Sequence, residues 1–486
     1  MKKRLGLLTG PLIFILTLLF FHPEGLTKEA NAVLATTLWM AVWWILEVIP
    51  IAATALLPII VFPLTGALSL EKATSGYSNP MVYLFLGGFL IAVTIEKWNL
   101  HRRIALNIIK WVGTSRNKII LGFMLATAFL SMWISNTATT VMMMPIGLAV
   151  VKHFNEKHHD GTLGKVMMLA IAYSSSIGGM ATLIGTPTNV ILSGVVAETY
   201  GVVISFSEWM LFALPFAIGL LFLCWRYLVS GAFRDIVPRP VASEGRAEIH
   251  RQLAALGPVS PEEKRIFVVF LTVALAWVSQ GFLLDKIIPG IGDTVIAVAG
   301  ALALFLIPAP SRAGETLLDW QTAETIPWGI LILFGGGLAL ATGFKDTGLA
   351  DWLGGQLTLL HAVPYFLLLM ILVLAVNFLT EVTSNVATAS MILPVLAGLA
   401  FSLGVHPLGL MVGATLAASC AFMLPVATPP NAVVFGSGYL KITDMVQTGL
   451  FMNLVSTVLL TLLVYYFLPL VWGIDLSTFP AGYLGK

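Results

Sequence analysis

The sequence predicts an all-α polytopic membrane protein, with eleven transmembrane helices and two re-entrant hairpins in inverted-topology repeats. Three observations predict it. Of the 486 residues, 58% are hydrophobic and 10% charged, against about 25% charged in a soluble domain, and the mean hydropathy is +0.93. Apolar runs of membrane-crossing length recur along the whole chain. Landmarks of the first half return, in order, in the second. This composition excludes a soluble enzyme, a nucleic-acid binder and a disordered chain. The net charge of +2 gives no reason to expect a polyanionic partner. Cys224 and Cys420 both lie in apolar runs and form neither a disulfide framework nor a metal-binding pair.

A helix needs about 20 apolar residues to cross the hydrocarbon. Runs that fit are 5–21, 32–48, 51–66, 81–96, 167–191, 208–228, 266–283, 294–307, 328–343, 409–435 and 449–470. The first follows Lys2-Lys3-Arg4 and has no small-x-small cleavage site after it, so it reads as an uncleaved span. Two further runs, 119–151 and 365–402, are too long for one span and carry polar clusters at their centres. They read as hairpins that return to their own side. With the N-terminus in the cytoplasm, this layout puts 21 of the 26 lysines and arginines inside and 5 outside, as the positive-inside rule requires. The proline-containing polar stretch 229–265 reads as a cytoplasmic linker between the halves.

The repeat is visible in four landmarks. Phe85-Leu86-Gly87-Gly88 returns as Leu333-Phe334-Gly335-Gly336, an offset of 248. Ser135-Asn136-Thr137-Ala138-Thr139 returns as Ser384-Asn385-Val386-Ala387-Thr388, and Pro145 as Pro394, both at 249. Thr186-Pro187-Thr188-Asn189 returns as Thr428-Pro429-Pro430-Asn431, at 242. Five spans separate the two starts, so the second unit enters the membrane from the opposite side. Such repeats place substrate and coupling ions near the midplane of secondary transporters, where helices are broken.

Non-helical backbone at membrane depth persists only inside protein or along a cavity. Ser131 to Thr140 and Thr380 to Thr388 fit hairpin tips, because Asn tolerates left-handed geometry and hydroxyls bond local backbone. The arm after each tip starts a helix whose N–H groups suit an anion. Pro187 and Pro429 interrupt long apolar runs and free carbonyl oxygens for a cation. None of these four segments contains Lys or Arg, so bound cations are expected to balance an anionic substrate. Glu47, Glu96 and Glu381 read as interfacial or packing residues, and His153, His158 and His159 as a solvated loop. No Walker A motif and no buried catalytic dyad is present, so neither ATP drive nor an intramembrane enzyme is expected.

The paired Ser-Asn motifs, each followed by a Thr-Pro-x-Asn break, resemble the divalent anion/sodium symporter family from about Asn31 to the end. That family includes bacterial INDY-type dicarboxylate transporters and mammalian sodium-dicarboxylate and sodium-citrate carriers. The resemblance implies the ion-transporter superfamily elevator fold, a homodimer, sodium as coupling ion and a di- or tricarboxylate substrate. It implies a first sodium site of Ser131, Ser135, Asn136 and Gly185, and a second of Thr380, Thr383, Asn385 and Ala427. Substrate carboxylates would meet Asn136, Thr137, Ser384, Asn385, Val386, Thr186 and Thr428, with Pro187 and Pro429 shaping the cavity. Val386 departs from the pattern by replacing a Thr hydroxyl, so one hydrogen bond to substrate is either absent or made by a neighbour such as Thr388. The domains implied are scaffold helices over 1–118 and 266–364, transport elements over 119–228 and 365–486, and the linker 229–265. Localisation follows as a bacterial inner or plasma membrane, N-terminus cytoplasmic and C-terminus extracytoplasmic. A sodium-independent exchanger and a sulfate carrier remain the alternatives.

Overall fold

A computed structural model describes residues 2–113, 115–158, 161–233, 242–356 and 362–483. Linker residues 234–241, together with His159, Lys486 and Met1, lie outside the described residues. The described chain is helical apart from turns and one isolated bridge between Pro308 and Thr316. Among the described residues, seven helices are long and apolar enough to cross a membrane: Lys28–Leu46, Leu70–Lys97, Phe206–Ala232, Pro261–Ile287, Trp328–Asp346, Asn385–Leu403 and Ile442–Trp472.

The runs 167–191 and 409–435, expected to be interrupted at their Thr-Pro-x-Asn motifs, are each split. The first becomes Thr162–Met180 and Pro187–Tyr200, the second Pro407–Ala418 and Pro429–Phe435. The run 51–66 is divided into Ile51–Thr54 and Leu57–Thr65. Pro187 and Pro429 stand at the first position of their half-helices, where the missing N–H would lack an intrahelical partner anyway. Each break therefore lies upstream of its proline and not at it.

Local signals place the other ends. Ser205 and Glu208 form a reciprocal capping box before Phe206–Tyr227, and Ser260 and Glu263 do so before Pro261–Ser279. Leu100–Val112 is amphipathic. It buries Leu100, Ala105, Leu106 and Ile109 and exposes Lys110 and Trp111, which suits a helix lying along the membrane surface.

The two halves pack alike. A Cβ added to Gly87 would sit 2.7 Å from the Ala297 backbone, and one added to Gly336 would sit 2.3 Å from the Ala55 carbonyl oxygen. Glycine is needed at both places because two helix backbones touch there. The helix ends are tied in a related way: Lys97 is ion-paired with Asp319, and Asp346 with Lys72. Lys97 and Asp346 are themselves 249 apart. Lys97 also holds the Asp319 carboxyl, with help from the Thr322 N–H, down at about 2.

Candidate functional site

A cavity of about 660 Å³ opens where the two hairpin tips and the two broken helices meet. The first hairpin has arms Arg116–Ser131 and Asn136–His158, the second Tyr365–Thr380 and Asn385–Leu403. Every residue expected to face substrate lines this cavity: Asn136, Thr137, Thr186, Pro187, Ser384, Asn385, Val386, Thr428 and Pro429. Ser135, Gly185, Thr383 and Ala427 line it as well. Ser131 and Thr380 do not; both are fully buried just behind the tips.

The electrostatics come from the backbone. Helices of 23, 14 and 19 residues begin at Asn136, Pro187 and Asn385, and their positive ends face one volume. The short helix Pro429–Phe435 begins there too, with Thr428 Oγ1 accepting from Asn431 N at 3.3 Å. Among the described residues, no lysine, arginine or histidine lines the cavity, and its single acid is Glu47. Glu47 caps the helix before it in a left-handed conformation, φ +44°. Glu47, read from the sequence as interfacial or packing, thus stands in the cavity wall. Trp44, Phe85 and Phe89 also contribute to that wall.

Behind the first tip, the inward atom of the Asn136 amide lies 2.6 Å from Ser131 Oγ, 3.2 Å from the Ser175 carbonyl oxygen and 3.3 Å from the Gly185 carbonyl oxygen. With nitrogen inward the amide donates to all three. With oxygen inward, two carbonyls face a third oxygen, an arrangement that a cation satisfies. Behind the second tip, Thr380 Oγ1 lies 2.7 Å from Asn385 Oδ1 and donates to the Ala418 carbonyl at 2.9 Å. Thr383 is turned to Leu379 O at 2.9 Å and to Thr388 Oγ1 at 2.7 Å. Thr388 is 1% exposed, so it does not replace the hydroxyl missing at Val386.

The breaks are held by asparagine. Asn189 Nδ2 donates to Thr182 O at 2.8 Å, with Met180 O at 3.2 Å and Gly179 O at 3.3 Å. Asn431 Nδ2 donates to Leu424 O at 3.1 Å and Ala421 O at 3.2 Å. The last residue of each Thr-Pro-x-Asn motif is therefore a clamp on backbone and lies outside the cavity wall. Thr188 Oγ1 and Ser419 Oγ, 2.8 Å apart, join one break to the other.

Glu381, expected as an interfacial or packing residue close to the second tip, is a buried ligand of backbone. It is 3% exposed. Its carboxylate accepts from the backbone N–H groups of Phe422 (2.8 Å), Met423 (2.9 Å) and Leu424 (3.0 Å), and from Asn453 Nδ2 (2.7 Å). It joins the second tip to the second break. A cluster of three or more acids, histidines or cysteines able to hold a metal is absent among the described residues.

A helical membrane protein with two like halves, each bringing a hairpin tip and a broken helix to one polar cavity, has the build of a secondary transporter. Comparison with known proteins makes the class specific. Residues 2–473 match the sodium:sulfate symporter transmembrane region family, and the chain belongs to that family. It is 47% identical over 483 residues to the sodium-dependent dicarboxylate transporter SdcS of Staphylococcus saprophyticus, covering 97% of this chain and 92% of that protein. It is 48% identical over 484 residues to SdcS of Staphylococcus aureus, with the same coverage. Among solved structures, the Alcanivorax borkumensis YdaH transporter shares the fold at 16% identity and a TM-score of 0.60, covering 90% of this chain and 99% of that one. The Neisseria gonorrhoeae MtrF transporter does so at 12% identity and 0.61, covering 98% and 96%.

Proposed function

We propose that this chain is a secondary-active symporter that carries dicarboxylates across the membrane together with sodium ions. The carrying observation is the cavity: positive helix ends and hydroxyls surround it, and no fixed cation among the described residues lines it. The family membership and the SdcS relatives support the same reading. Binding a bare dianion there would leave charge uncompensated at depth, at a cost of at least about 2.5–3.5 kcal/mol per charge on insertion scales. Sodium supplies the missing positive charge when bound. Ser131, Ser135, Asn136 and Gly185 would hold one ion, with the Ser175 carbonyl as an added oxygen. Thr380, Thr383, Asn385 and Ala427 would hold another, with the Ala418 carbonyl. Asn136, Thr137, Thr186, Ser384, Asn385, Val386 and Thr428 would contact the carboxylates, shaped by Pro187 and Pro429.

The wider arrangement proposed is a homodimer with eleven spans per chain, the two hairpins counted separately, and inverted repeats. Scaffold helices 1–118 and 266–364 stay fixed. Elements 119–228 and 365–486 move as an elevator, joined across the linker 229–265. The N-terminus is cytoplasmic and the C-terminus outside. Single cysteines at Lys157 and Lys345 test this layout: an impermeant thiol reagent on intact cells labels position 345 and spares 157.

Calorimetric binding of succinate to the purified protein, at fixed ionic strength, tests the coupling. Sodium raises affinity at least tenfold over potassium, about 1.4 kcal/mol of coupling. Equal affinity in the two salts defeats symport and favours sodium-independent exchange. Binding of sulfate in place of succinate would assign the divalent-anion alternative.

A further inference from the structure

On the face that the proposed topology puts in the cytoplasm, a second cavity of about 270 Å³ lies between the surface helices Leu100–Val112 and Ala242–Ala255. Lys110, Gly113, Arg246, Ile249 and His250 line it. Two of these are cations and a third is a histidine, and no acid is in the lining among the described residues. Arg246, Ile249 and His250 share one face of their helix by i, i+3 and i+4 spacing. Ile249 is buried and seats that helix, while Arg246, His250 and Lys110 are exposed.

What separates these groups from ordinary structural cations is that they are unspent. Arg103, on the same surface helix, is tied to Glu263 at 2.8 Å and to the carbonyls of Leu256, Gly257 and Pro258. Arg251 is held by Glu248 at 2.7 Å, and Gln252 by the same carboxylate at 2.8 Å. Lys110, Arg246 and His250 have no ion pair or hydrogen bond among the described residues. Three cation-capable groups of two helices thus converge on a cavity whose lining, among the described residues, holds no acid. The Lys118 stem comes close as well, 3.4 Å from where a Cβ on Gly113 would be. Trp111 follows Lys110 and is 86% exposed, as suits an indole anchored at headgroup depth.

We propose that this cavity binds a phosphate group, carried by an anionic lipid headgroup or by free phosphate. The guanidinium of Arg246 offers the forked donors that phosphate oxygens accept, and Lys110 adds a point charge from the facing helix. The helix Ala242–Ala255 also packs on the inner arm of the first hairpin. A bound phosphate would therefore join the surface helix Leu100–Val112 to the segment that touches the first hairpin.

The test uses the full-length purified chain in an uncharged detergent, followed by thermal unfolding at fixed ionic strength. Short-chain phosphatidylglycerol, phosphatidylcholine and inorganic phosphate are titrated separately. Saturable stabilisation by phosphatidylglycerol but not phosphatidylcholine is expected. It is weakened at least roughly tenfold in Lys110→Gln/Arg246→Gln/His250→Asn and unchanged in the control Lys152→Gln/Lys264→Gln. Stabilisation by inorganic phosphate alone, lost in the same triple variant, keeps the site and assigns a soluble ligand. Sodium-dependent succinate binding checks the fold of the variants, and Arg246→Lys, which keeps the charge but not the fork, gives an intermediate affinity. Equal titrations in the triple variant and the parent, equal losses in the control, or no response to either anion overturns the proposal.

Discussion

The two hairpin tips share a framework and differ in what it carries. Ser131 meets Asn136 and Thr380 meets Asn385 at almost the same distance, 2.6 and 2.7 Å. Asn189 and Asn431 clamp equivalent turns of backbone. Yet position 381, where the second half has a buried carboxylate with four donors, corresponds to Met132 in the first. There the Thr182 hydroxyl donates to the Met132 carbonyl. The backbone plan was duplicated and the charge was not. The second half keeps its break in place with an acid, the first with a neutral hydroxyl.

Removing that acid should have the largest effect. Glu381→Ala leaves the Met423 and Leu424 N–H groups and the Asn453 amide without their acceptor, while the Phe422 N–H keeps Asn453 Oδ1 at 3.3 Å, at about 1–3 kcal/mol for each buried donor left unmet. Thermal unfolding of the purified protein should show a loss of roughly 3 kcal/mol or more, whereas Met132→Leu should stay within about 1.5 kcal/mol. Similar small losses in both would mean that the halves are held alike.

The shared framework is tested next. Asn136→Ala and Asn385→Ala each remove an amide able to serve cation and carboxylate together. Each should weaken succinate and sodium binding in step, at least tenfold or about 1.4 kcal/mol by linkage. Binding isotherms at several sodium concentrations measure both. Near-normal affinities in the two variants would take these residues out of the site.

A smaller effect follows from exchanging what differs at the tips. Val386→Thr restores a hydroxyl beside the substrate, and Thr137→Val removes its counterpart. A single neutral hydrogen bond is worth about 0.5–1.5 kcal/mol. Competition assays should therefore show changes in preference among succinate, malate and citrate of up to roughly tenfold, in opposite senses, with sodium dependence intact.

The smallest effect belongs to the paired helix ends. Lys97→Met should cost about 1 kcal/mol or less, because Asp319 is 39% exposed and the pair is screened. The folded Asp319 carboxyl titrates at about 2, below its ordinary value near 3.9. Its contribution is therefore complete above about pH 4 and disappears as the pH falls toward 2. Unfolding measured across that window should show stability rising with pH in the parent, and Asp319→Asn should lack that part of the rise.

Much of this site was legible because hydroxyl and amide side chains stand out within apolar runs and recur at a fixed offset. All nine residues expected to face substrate do line the cavity. The parts that escaped have no such signature. The Ser175 and Ala418 contributions are carbonyl oxygens, which every residue possesses. Glu381 is acidic in either reading; only its contacts 41 to 43 residues away, and with Asn453, distinguish a ligand of backbone from a surface charge. Phe85 and Phe89 reach the cavity through tertiary packing alone. The Lys97–Asp319 and Lys72–Asp346 pairs escape a search for repeated residues, because equivalent helix ends carry opposite charges.

Those two pairs also constrain how the chain can be made. Each joins a lysine of the first half to an aspartate of the second, across 222 and 274 residues. Neither can close while the ribosome is still producing the first half. The nascent first repeat must therefore wait in the bilayer with Lys72 and Lys97 unmatched until its partner has been threaded. A truncated product ending in the linker would keep both lysines without their aspartates.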